Sequence, residues 1–181
     1  KPGGSIISNG VPATQAQLRD PAAVALDRQG NLYIADGGSY RVRRVSTDGI
    51  INTVAGDGSY KFNGDGIPAV EAGLVPSDIA VDGAGNLFIA DDYNQRIRKV
   101  APGGIISSVP GSFTSPSYVA ADPFGNLFVT EPSLNRVRKV APDGTVSTYA
   151  GNGRQAFSGD GGPAIRAALF FPESLAVDPA G

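Results

Sequence analysis

The chain has 181 residues, with 15 Lys and Arg against 17 Asp and Glu and 41% hydrophobic residues. That is enough apolar material for a buried core, and too balanced a charge for a field that holds nucleic acid or an anionic membrane surface. Cysteine and histidine are both absent, which excludes disulfides, thiolate nucleophiles, the usual zinc ligands and the commonest general base.

No apolar run approaches the roughly 20 residues of a membrane helix and no signal peptide opens the chain. With no methionine at all, the sequence reads as a processed or excised piece. The 25 Gly and 14 Pro point to many short strands joined by turns. Along the chain, Gly3 to Ser8 reads as the last strand of a repeat. Pro12 to Leu18 then carries P-A-x-x-A-x-L, in which Pro opens a short helical turn whose Ala and Leu pack on a sheet. The same run recurs at Pro68 to Leu74 and Pro163 to Leu169. Three gapless copies of 36 residues follow one another at 21–56, 76–111 and 116–151. The second and third are identical at 17 of the 36 positions, which fixes the frame. A fixed period of this length is the signature of a repeat architecture. Partial copies at 1–10 and 172–181 flank the three whole ones, so 1–181 reads as one repeat domain.

Within a copy, Ser77 to Asp82 alternates and is followed by a turn in which Asp82 bonds back to the backbone and Gly85 takes positive φ. Asn86 to Asp91 is almost continuously apolar, as in a strand covered on both faces. Arg96 to Val100 and Gly104 to Val109 complete four strands, called A to D here. One such unit cannot bury both faces, so units must stack around an axis. The fold class is all-β: a β-propeller of four-stranded antiparallel blades, forming an incomplete ring.

GNLYIADGGSYRVRRV, GNLFIADDYNQRIRKV and GNLFVTEPSLNRVRKV resemble the NHL-repeat motif, and the resemblance covers nearly the whole chain. Where the family has its Asn-His-Leu triplet, each copy here reads Gly-Asn-Leu. The resemblance implies a ring of about six blades, so three whole units leave it open, and open blade edges are templates for pairing. Self-association of an excised piece is therefore expected.

A carboxylate recurs five residues before an arginine: Asp36 with Arg41, Asp91 with Arg96 and Glu131 with Arg136. These flank the B to C turn, where a cross-strand ion pair is natural, and the reading is structural. The strand C cations (Arg41, Arg43, Arg44; Arg96, Arg98, Lys99; Arg136, Arg138, Lys139) offer an RNA-binding alternative, as in some NHL propellers. The lack of interleaved aromatic residues argues against it. The long D to A connections share Phe62-Asn63-Gly64-Asp65-Gly66 and Phe157-Ser158-Gly159-Asp160-Gly161, with too few carboxylates for a calcium loop. Asp27, Asp82, Asp122 and Asp178 recur at the end of strand A. A channel metal is one reading of them, and closure of their own turns is the preferred one. No metal and no cofactor is assigned.

The B to C and D to A connections of a propeller share one rim. This places Tyr40, Tyr60, Phe62, Tyr93, Asn94, Gln95, Leu134 and Phe157 on one face, a composition suited to a protein or glycan ligand. The sequence thus reads as a non-catalytic binding or scaffolding propeller, with no catalytic residue and no membrane partner. An extracellular or cell-surface setting is the favoured one. The alternative is an arc of a propeller enzyme, a metal-dependent lyase or hydrolase, whose catalytic residues lie in other blades.

Overall fold

A strand that is apolar at every position and central in its sheet is stable only when something covers both faces. The structure, a computed structural model that describes residues 8–178, meets this need by stacking sheets face to face. Its strands are β1 (Val11–Pro12), β2 (Pro21–Leu26), β3 (Leu32–Asp36), β4 (Arg41–Val45), β5 (Ile50–Ala55), β6 (Ile67–Pro68), β7 (Pro76–Val81), β8 (Leu87–Asp91), β9 (Arg96–Val100), β10 (Ile105–Ser108), β11 (Tyr118–Ala121), β12 (Leu127–Glu131), β13 (Arg136–Val140) and β14 (Val146–Ala150). They form three antiparallel sheets with spatial orders β1-β5-β4-β3-β2, β6-β10-β9-β8-β7 and β11-β12-β13-β14. The innermost strands β2, β7 and β11 lie against one another around the axis. The described residues include no α-helix, and the chain is an all-β propeller.

Two blades have a fifth strand that the sequence frame did not show. The connections leading into the first and second blades run along the outer edge before turning inward, and β1 and β6 pair there with β5 and β10. Each is followed by a 3-10 turn opened by Pro, at Ala13–Gln15 and Ala69–Glu71. A third such turn stands at Ala164–Arg166. Ala69, Ala72 and Leu74 are fully buried against the blade. Of the partial copies, residues 1–7 and 179–181 lie outside the described residues. Residues 172–178 form no strand.

Period-two alternation divides β8 between its neighbours. Leu87 and Ile89 join a cluster with Ala35, Val42 and Ala55 of the first blade. Phe88 and Ala90 join one with Val119, Val129 and Val140 of the third. Each large side chain buried in this way contributes about 1.5–3 kcal/mol, so the second blade draws its stability from both sides.

The A to B turns explain the Asp and Asn of the frame. Asp82 accepts bonds from the Ala84 and Asn86 N–H groups and from the Asn86 side chain, at 2.9, 2.8 and 2.7 Å. Asp27 and Asp122 do the same with Asn31 and Asn126. Burial pulls the Asp27 and Asp122 carboxyls up, but these bonds outweigh it and hold both below the usual value. The Gly that ends the first and third copies lies against the B to C turn. A Cβ on Gly56, at φ +96°, would stand 2.2 Å from the Tyr40 carbonyl oxygen.

Between the second and third blades, the Val119 N–H donates to Asp78 Oδ2 at 2.8 Å. Burial pushes the Asp78 carboxyl above 3.8, against the pull of that bond. The folded chain therefore holds its proton at pH values where the unfolded chain has lost it. Stability from this group is greatest below 3.8 and declines as pH rises through the raised value. Asp78→Asn keeps an acceptor for Val119 and removes the charge. Thermal melts should show the variant above the parent by a few degrees at pH 7, with the gap closing below pH 3.8.

Candidate binding face at the rim

The B to C turns are single turns, of 3-10 type in the first and third blades, each closed by a left-handed residue: Tyr40 at φ 55°, Gln95 at φ 55° and Asn135 at φ 50°. For a bulky side chain this conformation costs roughly 1–2 kcal/mol, and here it holds Tyr40 at the rim. In the second blade the turn also grips the incoming connection. Asn94 Oδ1 accepts the Phe62 N–H at 3.1 Å, while Nδ2 donates to the Tyr60 carbonyl and to Asp91 Oδ1, both at 2.9 Å.

This grip builds an aromatic row across two blades. Tyr40 and Tyr60 have ring centroids 6.1 Å apart, and Tyr60 and Tyr93 meet edge to face at 5.2 Å. Tyr93 remains 62% exposed. Beside the row Phe62 lies under two guanidiniums, Arg96 at 4.0 Å and Arg98 at 4.8 Å from its centroid. A cleft of about 650 Å³ opens there, walled by Phe62, Tyr93, Gln95, Arg96, Ser112 and Phe113. Six of the eight rim residues named from the sequence thus come together: Tyr40, Tyr60, Phe62, Tyr93, Asn94 and Gln95. Leu134 sits in the turn of the third blade, outside the row, and Phe157 is 84% exposed with no ring beside it.

The carboxylate and arginine at a spacing of five face each other across the ladder in every blade. Among the described residues only Arg136 reaches its partner, with Nε 2.6 Å from Glu131 Oε2. Arg41 instead donates to the carbonyls of Ser39 and Asp57, at 2.8 and 2.7 Å. Arg96 makes one long bond to the Asn94 carbonyl at 3.4 Å. Asp36 turns to the Arg19 N–H and the Ser39 hydroxyl, and Asp91 to the Val75 N–H. The reason is that backbone N–H groups of the incoming connection and side-chain donors of the turn reach these buried carboxylates first.

The deeper charge pairing is at a spacing of seven. Arg98 is fully buried, 3.8 Å from Asp91 and 3.0 Å from Asp65. Arg138 lies 3.6 Å from Glu131, and buried Arg43 occupies the same place in the first blade. Sequence reasoning weighed these arginines only as members of a basic strand C set for RNA. Their recurrence opposite Asn9 and Asp65 of the connections was the available signal. Burial pushes the Asp91 carboxyl up, opposed by the Val75 N–H, Asn94 and Arg98. Burial likewise pulls the Arg98 guanidinium down, opposed by Asp65 and Asp91.

Asp65 is committed to Arg98 and Ser108, and Asn63 to the backbone of Glu71 and Gly73, so these side chains converge on no ion. Asp27, Asp82, Asp122 and Asp178 line a shallow recess of about 250 Å³ at the opposite end of the axis. Among the described residues no three His, Cys, Asp or Glu side chains are grouped to hold a metal. Among the described residues no helix is long and apolar enough to cross a membrane.

Truncating one partner of a buried pair leaves the other charge stranded. Asp91→Ala should lower unfolding free energy by about 3–5 kcal/mol, read from the urea midpoint. Arg96→Ala, which removes only a partly exposed stacking contact, should cost about 0.5–1 kcal/mol.

Comparison with known proteins agrees with this geometry. The Teneurin NHL domain profile matches residues 5–63. Teneurin-3 of Mus musculus is 38% identical over 108 residues, 51% of this chain and 4% of that protein. Teneurin-4 of Homo sapiens is 38% identical over 100 residues, 48% of this chain and 4% of its own length. The chain thus spans about 4% of the curated relatives it matches. Among solved structures, a nidogen/laminin complex aligns with a TM-score of 0.59 and 20% identity over 76% of this chain and 53% of that one. A gluconolactonase from Xanthomonas campestris aligns at 0.60 with 17% identity, over 74% and 48%. The virginiamycin B lyase of Staphylococcus aureus aligns at 0.56 with 15% identity, over 75% and 42%. At these identities the structures show the fold alone. The sequence motif, the stacked antiparallel blades and the profile match agree, and the chain is a β-propeller whose repeats are similar to those of the NHL family.

Proposed function

We propose that the rim carrying Tyr40, Tyr60, Phe62, Tyr93, Asn94 and Gln95 is a non-catalytic docking surface for a protein partner. The observation that carries the reading is the aromatic row joining two blades. Three tyrosines are held by one another and by the Asn94 bonds, so their apolar area is offered with little side-chain entropy left to lose. Tyr40 occupies the left-handed position that closes this turn in every blade, and Gln95 and Asn135 at the same place show that the turn itself does not call for an aromatic side chain.

The RNA alternative loses support from the burial of Arg43 and Arg98, which removes two strand C cations from any phosphate-binding ring. The enzyme alternative rests on fold likeness alone, and function does not follow from fold. The extracellular or cell-surface setting adopted from the sequence belongs to this proposal. The single-domain reading of 1–181, with its three whole copies, belongs to it as well.

Self-association is a second part of the proposal. Val24 and Leu26 are 65% and 66% exposed on a first-blade face that no blade covers among the described residues. An apolar groove of about 330 Å³ beside Phe128 and Tyr149 opens on the far side of the third blade. Paired apolar surfaces of this kind favour association between copies.

Fluorescent tetramers of the chain should stain cells that display the partner. Tyr60→Ala with Tyr93→Ala should reduce staining by about 30-fold, the loss expected when hot-spot aromatics are removed. Thr47→Ala on the opposite rim should leave it unchanged. Protease treatment of the cells should abolish the signal and glycosidases should spare it; the reverse pattern would identify a glycan and overturn the protein reading. Light scattering across a concentration series should show a dimer or larger assembly that Leu26→Glu returns to monomer. A parent chain that stays monomeric throughout rules self-association out.

A further inference from the structure

The outer strands β5, β10 and β14 hold the same place in the repeat, yet only two of them are covered. In the first blade, Arg43 Nη2 donates to the Ser8 carbonyl and Asn9 Oδ1 accepts the Thr53 N–H at 2.8 Å. The Gly10 N–H then donates to the Ile51 carbonyl at 3.0 Å and the Ala13 N–H to that of Gly49 at 2.8 Å. In the second blade, Arg98 Nη2 donates to the Gly64 carbonyl at 2.8 Å and to Asp65 Oδ1 at 3.0 Å, and Ser108 Oγ donates to Asp65 at 3.1 Å. The Gly66 and Ala69 N–H groups donate to the Ile106 and Gly104 carbonyls, both at 2.8 Å. Ser8-Asn9-Gly10-Val11-Pro12-Ala13 and Gly64-Asp65-Gly66-Ile67-Pro68-Ala69 are therefore one docking template used twice.

The third blade has the receiving groups without the template. Its incoming connection, 111–115, is too short to run along the edge, and among the described residues β14 pairs only with β13. The register Val140 with Val146 repeats Val100 with Ile106 and Val45 with Ile51. The Thr145 carbonyl accepts the Ala141 N–H at 2.9 Å, as Ile105 accepts that of Ala101. Alternation then turns the Val146 N–H and carbonyl outward. Ile51 and Ile106 are buried beneath their covering strands, while Val146 is only half-buried. Arg138 donates Nε to the Ser147 carbonyl at 3.2 Å and holds Nη1 3.6 Å from Glu131. Its Nη2, the atom with which Arg43 and Arg98 fasten the template, has no partner among the described residues. Thr148 stands where Ser108 and Thr53 stand. Val146-Ser147-Thr148-Tyr149 carries neither charge nor Pro to blunt a free edge.

We propose that the outer edge of β14 takes up an extended segment of a partner protein by strand addition, and that the segment has the pattern small-(Asp/Asn)-Gly-(Ile/Val)-Pro. The Asp or Asn meets Arg138 Nη2 and the Thr148 hydroxyl, the β-branched residue pairs with Val146, and Pro lies opposite Thr145. Pro fits because the template residue at that place, Pro12 or Pro68, has no inward N–H to supply. The edge is separate from the rim, so this inference stands or falls independently of the rim reading.

The test uses the whole isotope-labelled chain and a blocked peptide copying residues 62–71. Nuclear magnetic resonance titration should give saturable shifts at Val146, Ser147, Thr148 and the Arg138 Nε–H. N-methylation at the peptide's Ile67 position, or Asp65→Ala in the peptide, should weaken binding about tenfold while the protein stays unaltered. Val146→Pro in the protein, at an N–H that points to solvent, should abolish the response with the rest of the spectrum preserved. Shifts elsewhere, no response at millimolar peptide, or an equal response to a scrambled peptide would overturn the proposal. So would a concentration-dependent dimer whose shifts fall on the outward Val146 N–H and the Arg138 Nε–H, rather than on the Phe128 and Tyr149 face, before peptide is added, since the edge would then belong to a second copy.

Discussion

Strand B of each copy is central in its sheet and apolar at successive positions, and the architecture follows from the need to cover both its faces. Leu87 and Ile89 look to the first blade, Phe88 and Ala90 to the third, so one five-residue strand ties two interfaces together. No blade is a stable unit alone, and stability is a sum of neighbour interfaces in which the middle blade has two and the outer blades one. Val24, Leu26 and Tyr149, exposed on the outward faces of the first and third blades, mark where that sum is incomplete among the described residues.

The second organising element is a guanidinium inside the blade. Arg98 cannot be left unpaired in a buried place, and the groups around it come from two parts of the chain: Asp91 at the end of strand B, and Asp65 with the Gly64 carbonyl in the connection. Meeting one electrostatic demand therefore positions the incoming connection. Asn94 then grips the same connection from the turn, which brings Tyr60 and Phe62 to the rim. Core, connection and rim are in this sense one structure, and damage to Asp91 reaches the tyrosine row through shared partners rather than through contact.

The parts of this arrangement that were legible in the sequence are those governed by local or strictly periodic physics. The four strands of a copy, the Asp-x-x-Gly turns and the Pro-opened 3-10 turns depend on neighbouring residues and a period of two, and they lie where the pattern placed them. The fifth strands β1 and β6 were invisible, because two residues carry no periodicity and their partners are about 40 residues away. The charge pairs misled for a related reason. Spacing shows which residues face each other across a hairpin, as Asp36 and Arg41 do, but says nothing of the turn donors that reach the carboxylate first. The rim cluster was legible as a face and not as a row, because the contact of Tyr60 with both Tyr40 and Tyr93 depends on the path of a connection that no local rule sets.

Repetition makes the exceptions informative. The first arginine of strand C meets a different end in each copy: Arg41 caps two carbonyls, Arg96 lies over Phe62 with its donors almost unused, and Arg136 pairs with Glu131. If the position served only the fold, one solution would suffice, as it does for the Asp-Asn turn that all three copies share. The differences follow the connections. Where the connection is long, as into the second blade, Phe62 stacks on Arg96 and an open cleft results. Where it is short, as into the third, the pair forms and the outer edge is bare. Insertion length between blades thus sets both which part of the rim is open and which edge is free, without altering a single core residue. A propeller can in this way acquire different binding surfaces on successive blades while every blade keeps the same packing.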